Sequence, residues 1–139
     1  MTDSNTAVLN VNRRFYHALA VADYRAMERL WLPSPDAVCV HPGQPALRGW
    51  DSIRASWRAI LTQQGPLHVW PGEVEVQLFG QTAEVHCIEN VDAGEATGIV
   101  RARAINIYRL SGRSWKMLEH HARAFEGGTV QTLPPFSRN

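Results

Sequence analysis

The side chains suited to acid–base chemistry stand in this chain beside apolar runs. His41 ends the run Ala-Val-Cys-Val-His and is followed at once by Pro42-Gly43. An imidazole gives or takes a proton near neutral pH, so a histidine at a strand end beside a turn is a candidate general base. Cys39 lies two residues earlier on the same strand face. A thiol nucleophile needs exposure and an activating base, and within an apolar strand an inert core cysteine is the simpler reading. Glu119 and His121 stand two apart in Leu-Glu-His-His-Ala-Arg, so a strand places them on one face, where the acid can tune the histidine or merely hold it. His41, His121 and Glu119 are the candidate catalytic residues. Together with Glu89 they show no recognised metal-ligand spacing, so neither a metal nor a cofactor is expected.

The elements that must position them follow from hydrophobic period. Asp3, Ser4 and Thr6 offer caps for a first helix, whose apolar face is Val8, Val11, Phe15, Ala18, Leu19 and Ala22, with Asn12 at its edge. Asp23 caps a shorter helix that Pro33 and Pro35 end. Ala37 to His41 reads as a strand and Ala46 to Arg48 as a very short return. A third helix opens at Gly49, with a stripe of Trp50, Ile53, Trp57, Ile60 and Leu61, and stops at Gly65-Pro66. The period then becomes two. Leu67–Phe79 is a strand broken by a bulge or bend near Pro71-Gly72, Gly80-Gln81 is a tight hairpin, and strands over 82–92, 97–110 and 114–125 follow. Helices first and an antiparallel meander afterwards is an α+β pattern, with the helices covering one face of the sheet.

Hairpin register predicts which face each strand residue takes. A two-residue turn at Gly80-Gln81 sets Val76 beside Val85 and Leu78 beside Ala83, and so puts Ala83, Val85, Cys87, Glu89 and Val91 under the helices. On the next strand the side reading Val100, Ala102, Ala104, Asn106, Tyr108 must be covered, because the other carries three arginines. Carried across the last turn, the same parity puts Trp115, Met117, Glu119, His121, Arg123 and Phe125 inside; an irregular connection would exchange His121 for His120. The candidate pocket residues are then Phe15, Trp50, Trp57, Glu89, Asn106, Tyr108 and Arg123. The opposite face has an apolar centre of Ile88, Ile105, Ile107, Leu118 and Ala122 within a rim of Arg103, Arg109, Lys116 and Glu84. That pattern reads as an association surface, and a homodimer through this face is expected.

Composition narrows the partners. The 139 residues carry 14 Lys+Arg against 13 Asp+Glu, a net charge of +1. No basic field is present to recruit nucleic acid or a membrane surface. The N-terminal residues lack the basic and apolar regions of a signal peptide, and no apolar run is long enough to span a bilayer. The expectation is a cytoplasmic protein, one domain over 1–126 with a tail at 127–139, binding a small apolar or aromatic ligand.

The His-Pro-Gly turn, the Gly-Trp-x-x-Ile-x-x-Ser-Trp helix, and the ending Asn-Ile-Tyr-Arg-x-x-Gly-x-x-Trp followed by His-His resemble the SnoaL-like branch of the nuclear transport factor 2-like superfamily over residues 8–125. The resemblance implies a cone-shaped fold, three helices on a strongly curved, mostly antiparallel sheet. Because this one fold hosts isomerases, cyclases, dehydratases and kinase association domains, it leaves function to the site. Relative to ketosteroid isomerases, His41 stands where their aspartate base would be, Phe15 where their oxyanion-binding tyrosine would be (Tyr16 lies one residue along), and Asn106 near their second oxyanion donor. These departures argue against steroid isomerase chemistry. The carboxylate that polyketide cyclases use as acid and base has candidates in Glu89 and Glu119. Two readings follow: a lyase, isomerase or cyclase with a histidine base, or a non-catalytic ligand-binding or dimerisation domain with its pocket small or plugged by Trp50, Trp57 and Met117.

Overall fold

The structure is a computed structural model that describes residues 3–125 of the 139; the expected boundary at 126 and the tail at 127–139 lie outside the described residues. Helix α1 (Ser4–Val21) begins where the Asp3 carboxylate accepts the Thr6 N–H at 2.8 Å. Helix α2 (Tyr24–Leu30) begins likewise at Asp23, which accepts the Ala26 N–H at 3.0 Å. Both caps satisfy donors that the first turn leaves free. Strand β1 (Val38–Val40) and the two-residue β2 (Leu47–Arg48) precede α3 (Trp50–Gln64), and β3 (His68–Phe79), β4 (Thr82–Asp92), β5 (Ile99–Ser111) and β6 (Ser114–Ala124) complete the fold.

The strands form a single sheet in the order β2-β1-β6-β5-β4-β3, with β1 parallel to β6 and every other pair antiparallel. The expected α+β architecture is present. Helix α1 packs across β3 and β6 while α3 lies against β1 and β2. Val8, Phe15, Ile53, Val85, Tyr108 and Met117 are fully enclosed between the layers. No helix among the described residues is long and apolar enough to cross a membrane.

Two bulges shape the sheet. On β3 the register slips between Gly72 and Glu75, and Glu73 takes a left-handed φ of 48°. The break expected at Pro71-Gly72 therefore falls just after it. Downstream of the slip, the hairpin pairs Phe79 with Thr82 and Val76 with Val85 as the two-residue turn requires; Gly80, at φ 62°, supplies the conformation that turn needs.

The second bulge corrects the face assignment of β6. Tyr108 pairs with Met117, on the shared inner face that parity predicts, but Ile107 pairs with Glu119, so Leu118 has no partner. One unpaired residue reverses every later side chain. Trp115 and Met117 point inward as expected. Beyond the bulge His120 and Ala122 are buried, and Glu119, His121 and Arg123 emerge on the outer face. The predicted exchange of His121 for His120 thus arises inside the strand and not in its connecting turn, whose Ser111–Ser114 closure is regular. At the bulge β6 also meets another segment, with the Leu32 N–H donating to the Met117 carbonyl at 2.9 Å.

The reversal has a measurable consequence. His120 is bonded through Nδ1 to Asn106 Oδ1 at 2.6 Å, so His120→Ala leaves a buried acceptor without its donor and should cost about 1–3 kcal/mol. His121→Ala removes a half-exposed side chain and should change stability by no more than about 1 kcal/mol. Urea unfolding of the two variants checks this, and equal losses would contradict the inward placement of His120.

Candidate functional site

Between α3, the turn after β1, and the β3–β4 end of the sheet lies a cavity of about 510 Å³. Its wall is mostly apolar, with Leu19, Leu47, Ile60, Val69 and Val91, and it holds His41, Ser56, Trp57, Glu89 and His120. Among the described residues no lysine, arginine or aspartate lines it.

Each polar group arrives by a simple local route. Strand β1 buries Cys39 by alternation, and so His41, two residues on, turns to the same side. Its Nε2 lies 2.8 Å from Ser56 Oγ on α3. Trp57, the next residue on that helix, meets the His41 ring edge-on at 4.9 Å. Glu89 is the one carboxylate on the inward face of β4. His120 lies inward because of the Leu118 bulge, and its ring sits 5.0 Å from Phe15, 5.9 Å from Trp57 and 6.5 Å from His41.

Behind the cavity a hydrogen-bonded network holds Glu89 and His120. Tyr16 donates to Glu89 Oε2 at 2.7 Å. Asn106 donates through Nδ2 to the Tyr16 oxygen at 3.1 Å and to Asn12 Oδ1 at 2.9 Å. Tyr108 also donates to Asn12 Oδ1, at 2.7 Å. With both amide protons of Asn106 directed to those oxygens, its Oδ1 can only accept, and the 2.6 Å contact makes His120 Nδ1 the protonated nitrogen. The Nε2 lone pair of His120 is left facing Glu89 Oε2, 3.8 Å away.

Burial sets the charges of this group. Desolvation pushes the Glu89 carboxyl up to about 7, although the Tyr16 hydrogen bond pulls it down. Desolvation, with repulsion from His41 and His121, holds His120 well below the ordinary histidine value, and desolvation also lowers His41. Near pH 7 His120 is therefore neutral and the Glu89 carboxyl is divided between its protonated and ionised forms, so the contact is not a standing ion pair. Burial drives the Cys39 thiol above the physiological range, and Cys87 is pushed up to about 11; neither suits a nucleophile. Among the described residues no three His, Cys, Asp or Glu side chains converge as a metal-ligand set.

Of the candidate residues, His41, Trp57 and Glu89 line the cavity. Phe15, Asn106 and Tyr108 are buried behind it. Trp50 does not reach it, because its ring stacks on Trp31 at 5.8 Å. Glu119, His121 and Arg123 lie on the opposite face, where His121 Nε2 sits 2.7 Å from Glu119 Oε1. The acid–histidine pair foreseen for β6 thus forms, but outside. The plug expected of Trp50, Trp57 and Met117 is not formed: of the three only Trp57 borders the cavity, which is open.

Tyr16 and Ser56 are the residues the sequence reading missed. Tyr16 stands four residues after Asn12 on α1, and that spacing is the signal that would have placed both on one stripe. Ser56 precedes Trp57 on α3 and was marked only as the serine of the Gly-Trp-x-x-Ile-x-x-Ser-Trp helix.

The family model described as a SnoaL-like domain matches residues 8–123. The chain is 24% identical over 118 residues to F-box protein SKIP8 of Arabidopsis thaliana, covering 84% of this chain and 48% of that protein. It therefore spans about half the length of the curated relative it matches. Among solved structures, a candidate dehydratase of the NTF2-like family from Streptomyces avermitilis superposes with a TM-score of 0.79 at 26% identity, over 88% of this chain and 97% of that one. A candidate calcium/calmodulin-dependent protein kinase type II association domain from Thiobacillus denitrificans superposes with a TM-score of 0.77 at 23% identity, over 84% and 93%. The CaMKII hub of S. rosetta does so at 0.76 and 20%, over 90% and 99%.

Two predictions follow from the charges. The Glu89 carboxyl lies near 7 folded against 4.5 for an ordinary glutamate, so its contribution to stability is full below pH 4.5 and is lost as pH rises through 7, a change of about 3 kcal/mol. The histidines act in the opposite sense: held neutral by the fold, they contribute stability above their ordinary value of 6.5 that is lost on acidification. Glu89→Gln should therefore be more stable than the parent at pH 8 and should lose stability more steeply below pH 6.5, as followed by guanidinium unfolding across pH. Separately, Tyr16→Phe removes the hydrogen bond that favours the carboxylate, so the Glu89 midpoint should move above its parent value in a carboxyl-carbon NMR titration.

Proposed function

Because the chain belongs to the SnoaL-like domain family, we propose that it binds a small, largely apolar molecule in the cavity beside His41 and transfers protons on it, in a reaction of the lyase, isomerase or cyclase type. The observation that carries this reading is the placement of Glu89 and His120 together, 3.8 Å apart, on the wall of an apolar cavity, with the carboxyl protonated up to about pH 7. Such a pair can act at once as acid and base.

The Nε2 lone pair of His120 accepts a proton from a carbon of the ligand. The protonated carboxyl of Glu89 gives its proton to the ligand oxygen nearby, either an enolising carbonyl or a departing hydroxyl. The ion pair so created, imidazolium beside carboxylate at 3.8 Å, is worth more in this apolar surrounding than in water. Its formation answers the low basicity that burial imposes on His120, because the charge that would stabilise the imidazolium appears in the same step. His120 rather than His121 takes the role of base in this reading. His41, fixed by Ser56, faces the ligand from the other wall as a second proton acceptor or a positioning group. The candidate dehydratase among the structural relatives is in keeping with such an elimination.

The second reading is a non-catalytic ligand-binding or dimerisation domain. It is favoured by the outer sheet face, where Ile105 is exposed within a charged rim, and by relatives named as association domains and hubs. In either reading we assign that outer face to a second copy of the chain.

The two readings separate in one experiment. The neutral bicyclic ketone 1-tetralone, titrated by fluorescence, should bind the parent and bind His41→Ala more weakly, while the 2-naphthoate anion should not bind an uncharged pocket. In D₂O the parent should speed exchange of the ketone's α-protons, and Glu89→Gln should lower that rate by about 10²–10⁴-fold, the span of one acid–base group. Binding without exchange would select the non-catalytic reading, and no binding to any variant would remove the pocket from both.

A further inference from the structure

Two serines stand one turn apart on α3 and use their hydroxyls differently. Ser52 bonds back to the start of its own helix, donating to the carbonyls of Arg48 and Gly49 at 3.0 and 3.2 Å. That is the common outcome for a serine in a helix. Among the described residues no backbone carbonyl takes the Ser56 proton. Its Oγ lies instead 2.8 Å from His41 Nε2, and both side chains line the cavity. Burial disfavours the charged form of His41, so the imidazole is neutral. With no other acceptor at hand, the Ser56 hydroxyl donates to the Nε2 lone pair, and the ring proton is assigned to Nδ1. Cys39 Sγ, 3.7 Å from the same nitrogen, stays a thiol because it is buried, and so adds no charge to the pair. Trp57 meets the His41 ring edge-on at 4.9 Å and holds it toward α3.

A hydroxyl that donates to a neutral imidazole, on the wall of a cavity, is the arrangement of a nucleophile with its general base. We infer that Ser56 is a nucleophile with His41 as its base, and that the cavity hydrolyses neutral esters of small apolar acids through an acyl-serine. This activity goes beyond the proton transfer proposed for Glu89 and His120. It uses a different pair of side chains in the same cavity.

In the first step Ser56 Oγ bonds to the acyl carbon and its proton passes to His41 Nε2. The bond from that carbon to the alcohol oxygen breaks, and the oxygen takes the proton from Nε2. In the second step a water oxygen bonds to the acyl carbon and a water proton passes to Nε2. The bond to Ser56 breaks, and Oγ takes the proton back. Ester and water become acid and alcohol, with no other reagent. Glu89 lines the same cavity and is protonated up to about pH 7, so its O–H is available to the carbonyl oxygen as that oxygen becomes negative. The lining sets the substrate class. Leu47, Ile60 and Val91 suit an apolar acyl group, and among the described residues no lysine or arginine is present to hold a carboxylate. A neutral ester is therefore admitted, while the acid formed from it ionises and leaves for water.

The probe is a neutral alkyl fluorophosphonate: Oγ bonds to phosphorus, fluoride leaves, and the serine proton goes to His41. Mass spectrometry of the full chain and of its peptides should find the phosphonate on Ser56. Ser56→Ala should lose that label. His41→Gln, whose amide oxygen still accepts the serine hydroxyl but cannot serve as a base, should be labelled at least about 10²-fold more slowly, the lower end of what a general base supplies. Hydrolysis of 1-naphthyl acetate should fall in both variants, whereas Ser56→Cys, which keeps a nucleophile in place, should still form the acyl adduct. Circular dichroism melting shows that each variant folds, and the mapped label on the parent needs no variant. No label on Ser56, or a label that forms as fast in His41→Gln, would overturn the inference and leave Ser56 as an anchor for His41. Exchange of the 1-tetralone α-protons is read separately. Exchange without labelling overturns the serine nucleophile alone, and labelling without exchange overturns the Glu89–His120 reading alone.

Discussion

The side chain of Asn106 ties the inner polar groups into one unit. It is fully enclosed, and every hydrogen-bonding site it uses is directed: two donations to Asn12 and Tyr16, one acceptance from His120. A buried amide is costly unless its partners are all supplied, and here they come from helix α1 on one side and strand β6 on the other. The network thereby joins the helical layer to the sheet at a point where apolar contact alone would leave the register free. It also orients the polar groups that face the cavity. The direction of these bonds leaves His120 with its lone pair toward Glu89, and it gives Glu89 a single strong donor in Tyr16.

Charge is distributed in this protein by consequence. The cavity holds a glutamate and two histidines, all driven toward neutrality by desolvation, and no permanent cation or anion. The outer face holds permanent charges of both signs. A fold of this size cannot bury an uncompensated charge, so the groups that remain inside are those able to become neutral. That restriction defines what the interior can do. It leaves inside only groups that can change their protonation, and puts the permanent charges on the exterior.

Much of the fold was legible from residue order. The caps at Asp3 and Asp23, a strand just before His41, the Gly80-Gln81 hairpin and the inward face of β4 and β5 all follow from local rules, and the structure places them so, with β1 ending one residue earlier at Val40. His41, Trp57 and Glu89 could be named for the same reason: each stands in a regular element before any irregularity intervenes. Trp50 could not be separated from Trp57 by period, since both belong to one helical stripe. Its stacking on Trp31 depends on where α2 ends relative to α3, which periodicity does not contain.

The amino-acid sequence by itself determined the elements, their order, and the side of each strand up to Met117, because a period of two or 3.6 is a local property of the chain. Tertiary structure decided which of two adjacent histidines meets Glu89. A single unpaired residue, Leu118, reverses the face of all that follows in β6, and nothing in the composition of Met-Leu-Glu-His-His marks it. The bulge occurs where β6 must pair with β5 on one side and receive Leu32 and β1 on the other. The inward turn then lets His120 satisfy Asn106. Such a choice is made by partners distant in sequence, and so it becomes readable only when they are assembled.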